Sequence, residues 1–271
     1  MKTSTSKPKT HLTSDLTRLK SYFTKLGSVL VTFSGGVDSS VLAKVAHDTL
    51  KDQAVAVTAD SPSLARGELQ AAKQLATKIG IRHRVVTTQE MYNADYQSNP
   101  SNRCYFCKTE LFAMTKDLAK EEQVTYVVEG TQPDDLEGPR PGFSAAQVHG
   151  VKSPYLEVGL NKEAIRQLAK QLGLPNWDKP SLACLSSRFP TQTPITTEGL
   201  ERVDQCEQAI RQIGFPQVRA RFYQDAVRIE VTPDLIHRFS SKDVCEAALD
   251  AARKSAFASV RVDLSGYQGA Q

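Results

Sequence analysis

One stretch constrains the fold of this chain more than any other: Ser34-Gly35-Gly36-Val37-Asp38-Ser39-Ser40. The apolar residues 29–33 before it predict a buried strand, and the apolar residues 41–50 after it recur at helical spacing. A glycine turn between a strand and a helix presents unpaired backbone amides and the positive end of the helix dipole to an anion. We therefore predict a phosphate-binding loop, and an ordinary strand-to-helix turn is the alternative.

The loop differs from a Walker A motif, because no Lys-Ser or Lys-Thr pair follows its glycines. It resembles the PP-loop of the N-type ATP pyrophosphatases, which cleave ATP between the α and β phosphates and adenylate a substrate oxygen. The resemblance implies that its glycines and serines bind the leaving pyrophosphate, namely Ser34, Gly35, Gly36, Ser39 and Ser40. It also implies that Asp38 binds Mg²⁺ or orders the loop. Residues 34–40 are called the PP-loop from here on.

Strand-like and helix-like segments alternate through the first 180 residues. Strands are predicted at residues 29–33, 54–58, 82–87 and 124–129, and helices at residues 15–26, 65–79, 108–120 and 161–172. This alternation favours right-handed βαβ units, and so an α/β domain with a doubly wound parallel sheet over residues 1–180. The order then changes to helix, hairpin, helix and strand, which predicts a smaller α+β domain over residues 181–271.

Several polar residues follow the predicted strands, where a doubly wound sheet binds its ligands. Asp60 comes after the second strand and is a candidate for nucleotide contact, although a turn or helix-capping role explains it equally well. Gly130 follows the fourth strand and is a second candidate for the nucleotide site. Asp135 could bind Mg²⁺ through its oxygens, with a solvated acidic loop as the alternative. Arg140, in a loop rich in Gly and Pro, could contact phosphate.

The composition argues against several classes of function. A net charge of +4 over 271 residues is too small to argue for nucleic acid. The sequence contains no run of about 18 apolar residues, so no membrane span is predicted. Residues 1–10 are rich in Lys, Ser and Thr and lack the apolar core of a secretory signal. We therefore expect a cytoplasmic protein with a frayed N-terminal tail that binds neither membrane nor nucleic acid.

Five cysteines, an odd number, indicate chemistry or metal binding rather than a disulfide scaffold. Cys104 and Cys107 form a CxxC, which allows two thiolates to bind one metal or to form a redox disulfide. Cys184 lies in a loop rich in Ser, and Arg188 four residues later could stabilise its thiolate. Three thiolates with one iron position left open would suit a 4Fe–4S cluster. The other two cysteines lie on predicted helices and are expected to be buried small hydrophobes: Cys206 and Cys245.

Together, the motifs resemble the LarE family, the ATP-dependent sulfurtransferases of nickel-pincer nucleotide cofactor synthesis. The resemblance extends over nearly the whole chain. It rests on the PP-loop, ADSPS, EGTQPDD, the RPG loop, KPSLACLSSRFP, and the pair Arg219 and Arg221 followed by Arg228-Ile229-Glu230. It implies an adenine nucleotide alpha hydrolase-like PP-loop domain and a C-terminal domain for sulfur transfer, substrate binding and oligomer contacts. It also implies that ATP is used to adenylate the carboxylates of pyridinium-3,5-biscarboxylic acid mononucleotide, which then become thiocarboxylates.

The family uses two kinds of sulfur donor. In members with one working cysteine, that cysteine gives up its own sulfur and becomes dehydroalanine. Members with a CxxC and a later cysteine hold a 4Fe–4S cluster that delivers sulfide. Cys104, Cys107 and Cys184 match the second pattern. We therefore favour transfer through a cluster, which needs an external sulfide or sulfur donor, and keep sacrificial donation from Cys184 as the alternative.

Two arginines extend the implied site. Arg219 and Arg221 alternate with apolar neighbours and so share one face of a predicted strand, which could also be a solvated face. The resemblance implies that both bind phosphate, with Arg188 nearby and Glu230 among the polar residues around the site. Family members tend to form trimers or hexamers, so a homo-oligomer is expected.

Three other functions fit parts of the sequence. A PP-loop tRNA thiolase can combine a CxxC with an iron–sulfur cluster, but it needs a broad basic face or an added RNA-binding domain, and neither is evident. An amidating synthetase would need an ammonia source and would leave the cysteines without a role. A nucleotide sensor without catalysis is the remaining class. It would be favoured if no carboxylate substrate caused pyrophosphate release.

Overall fold

The computed structural model describes residues 8–181 and 183–267. The predicted tail up to residue 7 and Leu182 of the KPSLACLSSRFP motif lie outside the described residues. The described chain forms two compact units. Unit 1 contains the residues up to Asp60 with Gly67–Thr88 and Cys104–Pro180, and unit 2 contains Ser61–Arg66, Gln89–Arg103 and the residues from Ser181 onward. Two earlier segments therefore pack with the C-terminal part. The division after residue 180 stays a prediction.

Unit 1 is built on four parallel strands: β1 Val29–Thr32, β2 Ala54–Asp60, β3 Arg82–Thr87 and β4 Tyr126–Val128. They lie in the order β3-β2-β1-β4. β1 is buried along its whole length. Val29 and Val31 pack in one apolar cluster and Leu30 in another, so both faces of the sheet are covered. The predicted doubly wound α/β fold is confirmed.

Eight helices are described before residue 181: α1 Pro8–Leu26, α2 Val37–Leu50, α3 Arg66–Ile79, α4 Ala94–Gln97, α5 Arg103–Glu121, α6 Pro141–Val148, α7 Pro154–Val158 and α8 Lys162–Gln171. The longer ones bury an apolar stripe, as α3 does with five residues: Leu69, Ala72, Leu75, Ala76 and Ile79. Asn161 accepts a hydrogen bond from the Ala164 amide at 3.0 Å and so caps α8.

Unit 2 contains a smaller mixed sheet. Its strands are β5 Val218–Tyr223, β6 Ala226–Val231 and β7 Ser259–Val262, and its longer helices are α9 Thr197–Gln212 and α10 Lys242–Lys254. β5 and β6 are antiparallel, whereas β6 and β7 are parallel. α9 packs on β5, and α10 packs on α9 and β7. The predicted α+β arrangement of helix, hairpin, helix and strand is confirmed.

Three elements differ from the sequence predictions. α1 begins at Pro8 and α5 at Arg103, several residues before their predicted starts. The first turn of α1 is largely polar, and the first turn of α5 contains both half-buried and exposed residues, so neither start shows a regular apolar spacing. Residues 138–142 were interpreted as a loop, but α6 begins within them because Pro141 occupies its first turn, where a missing amide costs nothing.

The helices of the described residues include none that is long and apolar enough to cross a membrane.

Candidate functional site

The PP-loop lies at the switch point of the unit 1 sheet. The chain runs from β1 through β2 to β3 on one side of β1, and then crosses to β4 on its other side. Nucleotides bind at such a point, beyond the carboxyl ends of the strands. The PP-loop follows β1, Gly130 follows β4 and Asp60 ends β2. The three predicted parts of the nucleotide site therefore share one edge of the sheet.

Hydrogen bonds within the PP-loop fold it into a closed turn. The Ser34 amide donates to Ser39 Oγ at 3.2 Å, and the hydroxyl oxygens of these two serines are also 3.2 Å apart. α2 begins at Val37, and its N-cap residue Gly36 has no side chain to bond the first amides. The amides of this first turn are the groups that an anion would bind at the positive end of the helix.

Two glycines let other chain segments approach closely. Gly35 has a φ of +72°, and an added Cβ would lie 3.1 Å from Cβ of Ala72 on α3. A side chain at this position would be both strained and crowded. At Gly130 an added Cβ would lie 3.4 Å from Cβ of Asp38. The backbone after β4 therefore packs directly against the first turn of α2.

Asp38 lies in an environment that disfavours its charge. Burial raises the pKa of Asp38, and the negative charge of Asp135 raises it further. The positive charges of Lys162 and Arg166 act in the opposite direction without cancelling the rise. Oxygen ligands are those that Mg²⁺ prefers, and a bound divalent cation would relieve the repulsion between the two carboxylates. The chemistry of Asp38 and Asp135 therefore fits Mg²⁺.

Asp135 and Arg140 are bonded to each other. The Arg140 guanidinium forms an ion pair with the Asp135 carboxylate, and Arg140 Nε donates to the Asp135 carbonyl at 2.7 Å. Asp135 also accepts from the Gln132 amide at 3.3 Å, which completes a capping box. Arg140 is thus engaged by a carboxylate, and a phosphate would have to compete with it.

The three proposed sulfur-site cysteines are not in disulfide bonds. Cys104 is exposed and Cys107 half-buried, and both lie near the start of α5 at a spacing that puts them on one helix face. Cys184 is an exposed thiol of unit 2, directly before a short 3-10 helix, Leu185–Arg188. Over residues 8–181 and 183–267, no group of three or more His, Cys, Asp or Glu side chains is placed to hold a metal ion. The three thiols are donors of the kind that an iron–sulfur cluster takes.

The other two cysteines differ from each other. Cys206 is fully buried on α9, and burial followed by the charge of Glu207 raises the pKa of its thiol to about 12. It is therefore inert, as predicted. Cys245 was expected to be buried, but it is exposed, so that prediction was wrong. α10 turns its alanines inward instead, namely Ala248, Ala251 and Ala252.

Arg188 is engaged inside unit 2. Its Nε and Nη2 donate to the two carboxylate oxygens of Glu207 at 2.8 and 3.1 Å, and both side chains are almost fully buried. Its Nη1 donates to the carbonyls of Ala183 and Cys184 at 2.8 and 3.0 Å. Burial alone would raise the pKa of Glu207, but hydrogen bonds and charge from Arg188 and Arg211 outweigh it and lower that pKa. Arg188 therefore fixes the backbone that carries Cys184, and these contacts do not involve the thiol.

One face of the small sheet forms a basic pocket of about 300 Å³. Four arginines contribute to its lining: Arg188, Arg219, Arg221 and Arg228. The predicted common face of Arg219 and Arg221 is part of this pocket. Glu230 accepts from Arg221 Nε and from Arg228 Nη2, both at 3.0 Å, so two of the arginines share one carboxylate.

Arg219 is the arginine of this pocket without a carboxylate partner among the described residues. It is 2% exposed, and its Nη1 has no hydrogen-bond partner in the described part of the chain. Its Nη2 makes only long contacts, to the Ser181 carbonyl at 3.5 Å and the Tyr267 hydroxyl at 3.4 Å. Burial lowers the pKa of Arg219, and the charge of Arg188 adds to this effect. A buried, unpaired cation is costly, and a bound anion would relieve that cost.

Two residues of the site escaped the sequence analysis. Glu207 pairs with Arg188 from 19 positions away. Asn176, in the segment after α8, donates hydrogen bonds to the PP-loop. No motif marks either residue, since each acts through a contact between segments that only the fold brings together.

A parallel sheet with a Ser-Gly-Gly-Val-Asp-Ser turn at its switch point defines a PP-loop nucleotide-binding domain. The sequence profile of the NAD synthase family matches residues 13–133. GMP synthase of Chlamydia muridarum is 28% identical over 183 residues, which cover 61% of this chain and 34% of that protein.

Two relatives align over most of the chain. An uncharacterised protein of Synechocystis sp. is 45% identical over 257 residues, which cover 95% of this chain and 96% of the relative. Pyridinium-3,5-bisthiocarboxylic acid mononucleotide synthase of Lactiplantibacillus plantarum is 34% identical over 207 residues, which cover 76% of this chain and 75% of the relative. The chain belongs to the LarE family of ATP-dependent sulfurtransferases.

Proposed function

We propose that this enzyme adenylates the carboxylates of pyridinium-3,5-biscarboxylic acid mononucleotide and converts them to thiocarboxylates. The observation that carries the proposal is the PP-loop at the sheet switch point, within a chain that aligns with three quarters of a synthase named for the bisthiocarboxylic product. The PP-loop accounts for ATP cleavage, and the name of the relative supplies the product, from which we infer the biscarboxylic substrate.

Adenylation solves the main chemical difficulty. A carboxylate is a poor electrophile, because sulfur attack on it would have to expel oxide. Attack of a carboxylate oxygen on the α phosphate breaks the bond to the β phosphate, releases pyrophosphate and forms a mixed anhydride with AMP. Sulfur then attacks the carbonyl carbon, and AMP leaves with the former carboxylate oxygen.

The PP-loop would hold the pyrophosphate through backbone amides and hydroxyls. Ser34 is suited to this role because it is exposed, and its hydroxyl lies 3.2 Å from that of the buried Ser39. Asp38 and Asp135 would hold Mg²⁺, which supplies positive charge to the phosphates being separated. Asp60 and Gly130 would border the nucleotide from the ends of β2 and β4.

The basic pocket of unit 2 would hold the phosphate of the mononucleotide. The buried Arg219 guanidinium, with its unpartnered Nη1, supports this assignment because a dianion would complete its hydrogen bonds. Arg221 would contact the same phosphate, with Glu230 keeping its guanidinium in place. Arg188 acts by positioning the Cys184 backbone.

Sulfur would be delivered at Cys104, Cys107 and Cys184. The three thiolates would hold a 4Fe–4S cluster, which would supply sulfide taken from an external source. The alternative uses Cys184 alone. In that reaction Sγ attacks the adenylate, and loss of the Cα proton with cleavage of the Cβ–Sγ bond leaves dehydroalanine and the thiocarboxylate.

The cysteine proposal is tested by alanine variants after anaerobic reconstitution with iron and sulfide. Cys104→Ala, Cys107→Ala and Cys184→Ala should each abolish bound iron and sulfur transfer, while Cys245→Ala, another exposed cysteine, should keep both. If no iron binds and mass spectrometry finds dehydroalanine at position 184 after turnover, the sacrificial reaction is correct instead.

We also propose that the protein forms a trimer or hexamer, has no nucleic-acid partner and is cytoplasmic.

A further inference from the structure

The segment after α8 contacts the PP-loop through the side chain of Asn176. Asn176 Nδ2 lies 3.0 Å from the Gly35 carbonyl oxygen and 3.0 Å from Ser40 Oγ, and it donates to both. One side-chain amide therefore contacts the beginning and the end of the loop. These contacts lie within unit 1.

The direction of these hydrogen bonds follows from the chemistry of the partners. A backbone carbonyl can only accept, so the atom facing Gly35 must be the amide nitrogen and not Oδ1. Ser40 Oγ donates its own hydrogen to the Gly36 carbonyl at 2.6 Å, so it can accept from Asn176. Asn176 and Ser40 together bind the carbonyls of both PP-loop glycines.

An anion-binding turn needs its amides to face the ligand and its carbonyls to face away, because carbonyl oxygens repel phosphate. Gly35 has a φ of +72°, a conformation that glycine adopts and leaves readily, and the Asn176 amide bonds its carbonyl. The hydrogen bonds that Asn176 and Ser40 donate to the glycine carbonyls restrain this conformation. Ser40 is fully buried and its hydroxyl is engaged on both sides, so its role is to support the loop rather than to bind phosphate.

The backbone of the Asn176 segment is itself fixed. Leu174 is 4% exposed and belongs to the core of unit 1. Arg166 on α8 donates to the carbonyls of Trp177 and Lys179 at 3.3 and 2.9 Å, and Lys179 forms an ion pair with Glu68 on α3. A donor carried on an anchored segment can impose its geometry on the loop it contacts.

We propose that Asn176 is a positioning residue of this enzyme, which holds the PP-loop in its pyrophosphate-binding conformation through Gly35 and Ser40. The inference rests on the proposed role of the loop in pyrophosphate binding. It assigns to Asn176 a share of pyrophosphate affinity without direct contact with the ligand.

The test is calorimetric binding of pyrophosphate with Mg²⁺, and separately of AMP, to the full-length protein and its variants. Asn176→Ala should weaken pyrophosphate binding by about tenfold, the worth of one or two neutral hydrogen bonds. Affinity for AMP should change by less than about twofold, because the loop does not bind the adenosine. Asn176→Asp, which keeps the side-chain size but removes the donor, should weaken pyrophosphate binding at least as much. Gln171→Ala removes an exposed amide at the end of α8 and should leave both affinities unchanged.

The melting temperature of each variant separates positioning from general loss of structure. If Asn176→Ala fails to fold, Asn176→Leu, which lacks the donor and adds no charge, decides the question. Unchanged pyrophosphate affinity in a folded variant would overturn the inference, as would parallel losses for pyrophosphate and AMP, or no pyrophosphate binding to the unmodified protein. If the selective loss is found but no carboxylate substrate is thiolated, the proposed substrate is wrong and the role of Asn176 stands.

Discussion

Asp38 illustrates how a functional residue can oppose stability. It is partly buried, and burial together with the charge of Asp135 raises its pKa. The folded protein therefore binds the Asp38 proton more tightly than the unfolded chain does. The stabilisation from this tighter proton binding is fully present below the ordinary pKa of the Asp38 carboxyl. It is lost as the pH rises through the raised pKa of the folded state.

Replacement of Asp38 by asparagine tests both the effect on stability and the role of Asp38 in the ATP site. Without Mg²⁺, Asp38→Asn should melt at a higher temperature than the unmodified protein at pH 7, and the difference should shrink as the pH falls through the raised pKa of Asp38 toward its ordinary value of about 3.9. The same variant should lose substrate-dependent pyrophosphate release. Asp178→Asn, which changes an exposed carboxylate of unit 1, should do neither. Undiminished pyrophosphate release in Asp38→Asn would remove Asp38 from the ATP site.

At the scale of elements, the sequence predicted best where apolar spacing and turn residues agree. The bounds of β3, β6 and α10 match their predictions. Gly80 precedes β3, and Gln224-Asp225 precedes β6 in a hairpin turn, so turn residues mark where both strands can begin. The start of α5 was missed, which placed the CxxC before the helix when it lies within the first turns. The residues of this turn are half-buried or exposed without a regular apolar spacing, so the sequence pattern did not show where the helix begins.

The candidate site was predictable to the extent that it is local. The PP-loop residues could be identified because strand, glycines and helix start are contiguous. The ion pair of Arg188 with Glu207 could not, because α9 must fold before the two side chains meet. The same holds for Asn176, whose partners in the PP-loop lie more than 130 residues earlier.

The small sheet of unit 2 gives a prediction at the same scale. Arg219→Gln should weaken binding of the mononucleotide by about 10- to 100-fold, the loss expected for a charge-assisted hydrogen bond. The affinity for ATP should not change, because the PP-loop lies in unit 1. Arg261→Gln, which changes an exposed arginine on β7, is the matched control and should bind normally. Equal losses for ATP and mononucleotide would contradict the assignment, and titration calorimetry measures both.

At the scale of the whole molecule, the two units carry different parts of the reaction. Unit 1 contains the PP-loop, Asp38 and the CxxC, whereas unit 2 contains Cys184 and the basic pocket. Neither unit has all the groups that the proposed chemistry needs. The proposed chemistry therefore requires adenylation and sulfur transfer to occur on one intact protein.

The most direct test incubates the full chain, reconstituted with iron and sulfide, with ATP, Mg²⁺ and pyridinium-3,5-biscarboxylic acid mononucleotide. Nucleotides are separated by chromatography, and the mononucleotide is analysed by mass spectrometry. The proposed mechanism predicts that AMP and pyrophosphate form only when the mononucleotide is present. It also predicts that the mass of the mononucleotide increases by the exchange of carboxyl oxygen for sulfur. Release of ADP, or AMP and pyrophosphate formed with tRNA and not with the mononucleotide, would contradict it.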